Sequence, residues 1–103
     1  MRAVNHKHPS QRYHAVSALG RIHAQSGVVV PALIAALRDP GIDVRRAAIL
    51  ALENFGGDAK PAVPALIELW RQDPDTGVRN IARDALQLLA PEIAAQAGVK
   101  FLQ

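Results

Sequence analysis

Residues 31–48 and residues 64–82 carry the same pattern, and this repetition decides the fold. The first stretch is PALIAALRDPGIDVRRAA and the second is PALIELWRQDPDTGVRNIA. The prolines that open them are 33 residues apart, and the valines that follow are 34 apart because Gln72 is one extra residue. Self-similarity at such a period is typical of a repeat array, and repeat arrays commonly bind partners through extended surfaces.

The first stretch predicts two helices joined by a turn. Its apolar residues recur with helical spacing at Val30, Leu33, Ile34 and Leu37,. The Asp39-Pro40-Gly41 run predicts the end of this helix, because the residue before a proline resists helical angles. Asp43 stands where the N-cap of the next helix belongs. That helix is predicted to end at Gly56-Gly57 with a left-handed cap, and its apolar stripe is Val44, Ala48, Ala51, Leu52 and Phe55.

The second stretch repeats this plan. Pro61 and Pro64 fall in the opening turns of its first helix, where a missing amide costs least. The two apolar stripes are Val63, Leu66, Ile67 and Trp70, and then Val78, Ala82, Ala85, Leu86 and Leu89. We expect the deepest core positions of the whole chain to be Leu52, Phe55, Leu66, Ile67 and Leu86.

The pattern extends beyond the two full copies and sets the domain organisation. Residues 9–23 align with the second helix of a unit, and Pro91 begins what is expected to be another first helix, interrupted at Gly98. We predict one domain over residues 1–103 with about six helices. Its parts are a half-unit at 9–23, units at 28–56 and 60–90, and a half-unit or cap at 91–103. The pattern begins and ends within a unit, and we expect one of three arrangements at the ends of the stack. Residues 1–8 and 98–103 cover the ends, or the ends meet another copy, or the chain is a fragment of a longer array.

Composition narrows the class of protein. The 103 residues contain no cysteine, half of them are apolar, and only 4% are aromatic. Disulfides and thiolate metal sites are therefore excluded, and alanine and leucine carry the packing. The sequence shows no signal peptide and no uninterrupted apolar run long enough to span a membrane, so we expect a cytoplasmic protein.

The positive charge lies mainly in the first part of the chain. The net charge is +3, made of +5 over residues 1–38, which hold no acid, and −2 over residues 39–103. A basic end can attract nucleic acid or an acidic partner. Five unclustered charges are weak evidence for nucleic acid, and a solvated surface explains them as well.

The order of a proline-led helix, an Asp-Pro turn and a Val-Arg helix start resembles the HEAT repeat, in particular the short bacterial and archaeal type. The resemblance covers residues 9–97. It implies an all-α, right-handed α-solenoid of antiparallel helix pairs, with the second helix of each pair lining a concave face. It also implies a structural ladder in which Asp39 and Asp73 bond with Arg45 and Arg79. The first half-unit departs from the pattern, because it has Arg12 but His6 at the aspartate position.

Helical spacing predicts which side chains face a partner. With Ala48 at the centre of the buried face, residues two before, two after and five after it point away. In the three aligned helices these are Tyr13–Arg46–Asn80, Ser17–Leu50–Asp84 and Gly20–Glu53–Gln87. The mixture of tyrosine, arginine, leucine and acids favours a protein or peptide over nucleic acid. The alternative is that these residues are merely solvated.

Motifs for catalysis and cofactor binding are missing from the sequence. It has no phosphate loop, dinucleotide fingerprint or zincin motif,. His6, His8 and His14 are a candidate zinc or nickel site, but incidental histidines in a basic terminus are the simpler explanation. Asp73, Asp75 and Gly77 begin like a calcium loop without its later ligands, and a turn explains them better.

We therefore predict a non-catalytic interaction or scaffold module without a cofactor, which binds an unknown protein or peptide. The alternatives are an accessory subunit of a bilin-lyase-like protein, a nucleic-acid-binding HEAT-like protein, or an element that self-associates through its ends.

Overall fold

All regular structure in the described part of the chain is helical. The computed structural model describes residues 8–19, 21, 26–96 and 98. Its helices are α1 (Pro9–Leu19), α2 (Ser26–Ala36), α3 (Ile42–Glu53), a 3₁₀ segment (Gly56–Ala62), α4 (Val63–Gln72), α5 (Thr76–Leu89) and α6 (Pro91–Gln96). The predicted all-α class with six α-helices is confirmed.

The helices are arranged as stacked hairpins. Helices α1, α3 and α5 lie side by side in one layer, with α3 in contact with both of the others. Helix α2 packs on α3 and α4 packs on α5, while the 3₁₀ segment contacts both α2 and α4. Helix α6 packs on α5. The described residues therefore form a slab of about 38 × 30 × 18 Å, as a short α-solenoid does,.

The predicted apolar stripes form one continuous core. All five stripe residues of α3 and its C-terminal turn are buried, and so are all five of α5. Leu52, Leu66 and Leu86 are fully buried and Phe55 is 8% exposed, as expected, but Ile67 is only partly buried and the prediction for it was wrong. Ile67 lies about 100° around the helix from Leu66. Helix α4 contacts mainly α5 and the 3₁₀ segment, so its Val63–Leu66 side is the one that is sealed.

The start of α3 differs from the prediction. Its N-cap is Gly41, without a side-chain cap, whereas Asp43 is exposed in the first turn of the helix. The turn is closed instead by Asp39, whose carboxylate accepts a hydrogen bond of 2.8 Å from the Gly41 amide. Asp43 still acts favourably on the positive end of the helix dipole.

Helix α5 begins with a true side-chain cap. Its N-cap Asp75 accepts a hydrogen bond of 2.8 Å from the Val78 amide. The preceding turn is closed as in the first hairpin, because the Asp73 carboxylate accepts from the Asp75 amide at 2.9 Å. The two turns thus share one aspartate-based geometry, which explains why Asp-Pro recurs.

The two repeated prolines occupy different places in their helices. Pro64 lies in the first turn of α4, as predicted, whereas Pro31 lies inside α2, which begins five residues earlier at Ser26. The corresponding stretch before α4 is wound as the 3₁₀ segment. That stretch contains Gly56, at φ +53°, and Pro61, and both residues favour an interruption of a regular α-helix.

Buried ion pairs link one hairpin to the next. Arg12 of α1 donates to both carboxylate oxygens of Asp39, at 2.7 and 3.1 Å. Arg45 of α3 lies 2.9 Å from one oxygen of Asp73 and donates to the other at 3.2 Å. Each of these four side chains is at most 12% exposed. The Asp–Arg ladder that the resemblance implies is therefore present, but its paired arginines are Arg12 and Arg45, each of which pairs with the aspartate of the following turn. Arg79, which the resemblance also implies, donates within the described residues only to the Asp73 carbonyl of its own turn and to the Thr76 hydroxyl.

Candidate functional site

The outward side of the layer formed by α1, α3 and α5 carries the residues that helical spacing predicted for a partner. These residues are Tyr13, Ser17, Arg46, Leu50, Glu53, Asn80, Asp84 and Gln87. None of these side chains is buried, and Tyr13 and Leu50 are 40% and 50% exposed. Gly20, the remaining predicted position, lies outside the described residues.

A groove between α1 and α3 brings five of these residues together. It has a volume of about 460 Å³, and Tyr13, Ser17, Arg46, Leu50 and Glu53 line it. A second cavity of similar volume adjoins it at the start of α3 and shares Tyr13 and Asp43 with it. The other three predicted residues lie on α5 and do not line the groove.

Several residues that line the groove and the adjoining cavity were not identified from the sequence. Arg21 and Asp43 also line it, and Ile42, which is 43% exposed, lines the second cavity. Asp43 is three residues before Arg46 and seven before Leu50, so the same helical spacing could have revealed it. Arg21 follows the end of α1, where helical periodicity carries no signal.

Arg46 is held in place by the neighbouring hairpin. Its guanidinium donates to the Asp75 carboxylate at 3.2 Å, so it spans from α3 to the start of α5. Gly77 makes this possible, because a Cβ atom at that position would collide with the Arg46 guanidinium. The hydrogen bond from the Val78 amide, and then the bond from Arg46, hold the pKa of Asp75 below its ordinary value,.

At the end of the groove formed by Glu53, the carboxylate pKa is raised, whereas the pKa of Asp75 beside Arg46 is lowered. Burial raises the pKa of Glu53 above its ordinary value, and the nearby charge of Asp84 on α5 raises it further,. Within the described ranges, no lysine or arginine forms an ion pair with Glu53. Asp84 itself pairs with Arg83 at 3.3 Å. The groove therefore ends at the Glu53 carboxylate, which a cationic group would stabilise.

The candidate metal residues do not assemble in the described part of the chain. No three His, Cys, Asp or Glu side chains meet there as a metal site, and His6 lies outside it. His14 instead packs edge-on against the Tyr13 ring, with centroids 5.4 Å apart. In the Asp73–Asp75 turn, the two carboxylates accept hydrogen bonds from backbone amides and from Arg45 and Arg46. These contacts give both aspartates a structural role.

None of the helices in the described ranges combines the length and the hydropathy that crossing a bilayer requires. No curated protein matches the chain in sequence. A family model described as HEAT repeats matches residues 2–87, which is most of the chain. With its stacked helical hairpins and its Asp–Arg ladder, the chain belongs to the HEAT-repeat family.

Proposed function

We propose that this protein is a non-catalytic interaction module that binds a segment of a partner protein in the groove between α1 and α3. HEAT repeats are generally scaffolds for protein interactions and typically lack catalytic activity. The proposal adds to that general role the place of binding and the chemistry of the partner.

A strip of partly exposed apolar side chains carries the proposal. Tyr13, Ile42 and Leu50 are each 40–50% exposed, and the two adjoining cavities connect them through Tyr13. Apolar side chains grouped in a concave surface and surrounded by polar groups are typical of protein interfaces. Tyrosine in particular supplies a large contact area at a small cost in conformational entropy.

The charges of the groove indicate what the partner segment carries. Glu53, with Asp84 nearby, forms an acidic end at which Glu53 has no basic partner among the described residues, and Asp43 adds a further carboxylate to the lining. A segment with one apolar side chain for the Tyr13–Leu50 strip and a lysine or arginine for Glu53 satisfies both features. Because its pKa is raised, Glu53 takes up a proton at a higher pH than an ordinary glutamate does, so this binding should weaken as the pH falls,.

The same charges work against nucleic acid as the partner. Two of the five basic residues in positions 1–38 are engaged in ion pairs, Arg12 with Asp39 and Arg38 with Glu68. Three carboxylates lie on or beside the groove, where phosphates would meet repulsion. A protein segment is therefore the better match.

The test combines capture and direct binding. The wild-type protein and a Tyr13→Ala/Leu50→Ala variant would be used for affinity capture from the source cell, and the captured partner would then be titrated by calorimetry. We expect at least about a tenfold loss of affinity, since two apolar contacts worth about 1–2 kcal/mol are removed. Leu88→Ala is the matched control, because Leu88 is 65% exposed on α5 and does not line the groove.

Equal affinity for the wild type and the double variant would show that the groove is not the binding site. The same conclusion would follow if Leu88→Ala lost as much affinity as the double variant. Circular dichroism of each variant would establish that the fold is retained.

A further inference from the structure

The third arginine of the ladder has no carboxylate partner in the described structure. Arg79 of α5 is the repeat equivalent of Arg12 and Arg45, which bind Asp39 and Asp73. The chain has nine acidic residues, and all of them lie within the described ranges. Five of them form ion pairs with arginines other than Arg79, and none lies within ion-pairing distance of Arg79.

The Arg79 guanidinium is nevertheless fixed by the same kind of backbone hydrogen bond that fixes Arg45. Its Nη1 donates to the Asp73 carbonyl at 2.6 Å, just as Nη1 of Arg45 donates to the Asp39 carbonyl at 3.0 Å. Its Nη2 donates to the Thr76 hydroxyl at 2.9 Å. In Arg45, the remaining edge of the guanidinium, Nε and Nη2, faces the carboxylate of Asp73. Arg79 therefore presents a guanidinium that is already positioned, so binding a carboxylate costs little further side-chain entropy.

The rest of this side of α5 is also cationic. One helical turn beyond Arg79 is Arg83, at the position that holds Val16 in α1 and Ile49 in α3. Val16 and Ile49 are completely buried, whereas the Arg83 side chain is 22% exposed and forms an ion pair of 3.3 Å with the adjacent Asp84. A second copy of this chain stacked here would bury Arg83 where the other layers place an aliphatic side chain. In the repeat alignment the first unit has His6 in place of the ladder aspartate, so the sequence of a second copy offers Arg79 no carboxylate at that position. These features disfavour self-stacking and favour an acidic segment.

We propose that the side of α5 formed by Arg79 and Arg83 is a docking site for an acidic polypeptide segment from outside this sequence. The segment supplies an aspartate in an Asp-Pro turn, and Arg79 binds its carboxylate through two hydrogen bonds, as Arg45 approaches both oxygens of Asp73. The site continues the inter-hairpin interface of the molecule and is separate from the groove between α1 and α3.

The experiment uses a probe taken from the chain itself. The hexapeptide of residues 72–77, acetylated and amidated, contains the Asp-Pro turn that Arg45 recognises. It would be titrated into the 103-residue protein to about 10 mM, a range suited to weak binding,, while the arginine Nε–Hε signals and the backbone amide signals of α5 are followed by NMR. The amide signals measure binding in the variant that lacks the Arg79 guanidinium. We expect a saturable shift of the Arg79 signal, little shift with the peptide in which Asp73 is replaced by asparagine, and about tenfold weaker binding to Arg79→Lys.

The lysine variant keeps the charge but loses the planar pair of donors, so it separates a shaped site from simple charge attraction. Arg38→Lys is the matched control, because Arg38 is an exposed arginine on the opposite layer, and its binding should equal that of the wild type. The proposal is overturned if the Arg79 signal does not move, if the asparagine peptide moves it equally, or if Arg79→Lys binds as well as the wild type. Spectra of the free variants report directly whether they are folded.

Discussion

At the residue scale, the buried pair of Arg45 and Asp73 makes the sharpest prediction. Replacing Arg45 by alanine leaves the Asp73 carboxylate buried without its partner, and it also removes the donor to the carbonyls of Asp39 and Pro40. We expect a loss of about 3–5 kcal/mol in the free energy of unfolding, measured by urea denaturation.

The control for this prediction is Arg38→Ala. Arg38 and Glu68 also link two hairpins, at 3.6 Å, but their side chains are 74% and 56% exposed. Solvent screens such a pair, so the loss should stay below about 1 kcal/mol. Similar losses for the two variants would mean that the ladder does not depend on burial.

Gly56 is the residue whose backbone conformation most restricts substitution in the stretch between the two hairpins. Its φ of +53° lies in the left-handed region, and nothing within 4 Å would block a Cβ atom there. Gly56→Ala should therefore destabilise the protein through backbone strain alone, by about 1 kcal/mol. Gly57→Ala has the same open surroundings without the positive φ. Thermal unfolding should show a lower Tm for Gly56→Ala than for Gly57→Ala, and equal values would contradict this explanation.

At the element scale, periodicity predicted the buried faces of α3 and α5 correctly, whereas it predicted the helix ends less well. The stripes of α3 and α5 were correct at every position because burial of one face imposes a period of 3.6 residues on the sequence. The cap of α3 was predicted wrongly because Asp39 and Asp43 can both close a turn, and it is Asp39 that accepts the hydrogen bond from the Gly41 amide. The internal position of Pro31 was missed for a similar reason, since a proline can stand in the first turn or deeper in a helix.

The candidate site was also predictable only in part. The spacing around Ala48 identified Tyr13, Ser17, Arg46, Leu50 and Glu53, which meet in one groove. It could not show that Asp84 lies close enough to Glu53 to raise its pKa, because that depends on the distance between two helices. It also could not identify Arg21, which follows α1 outside any periodic segment.

The start of α5 predicts a dependence of stability on pH. The pKa of Asp75 is lowered in the folded protein, so the folded state binds its proton less readily than the unfolded state does. Its contribution is complete above the unfolded pKa of about 3.9, and it is lost as the pH falls through the folded value. Asp75→Asn keeps an acceptor for the Val78 amide but has no charge to titrate.

Urea unfolding of the wild type and of Asp75→Asn at neutral pH and at about pH 3 tests this linkage. We expect the wild type to be more stable at neutral pH and the difference to shrink in acid. A difference that stays constant with pH would show that the charge of Asp75 contributes nothing to the start of the helix.

At the scale of the whole molecule, stability comes from the contacts between hairpins. Single helices of 6–14 residues are marginal in water,, and each one here buries its apolar face only against its neighbours. Helix α3 is central to this arrangement, since α1, α2, α5 and the 3₁₀ segment all contact it. So short an array should therefore unfold as one cooperative unit.

A single substitution in α3 tests that cooperativity. Leu52 is fully buried at the centre of the stack, and Leu52→Ala should cost about 2–5 kcal/mol,. Because Trp70 is the only tryptophan and lies on α4, its fluorescence reports on the second hairpin while far-ultraviolet circular dichroism reports on all helices. If α3 couples the hairpins, the two signals change together with urea in the wild type, and in Leu52→Ala both move to the same lower midpoint. A fluorescence transition that keeps its wild-type midpoint while the dichroism shifts would show that the α4–α5 hairpin folds independently of α3.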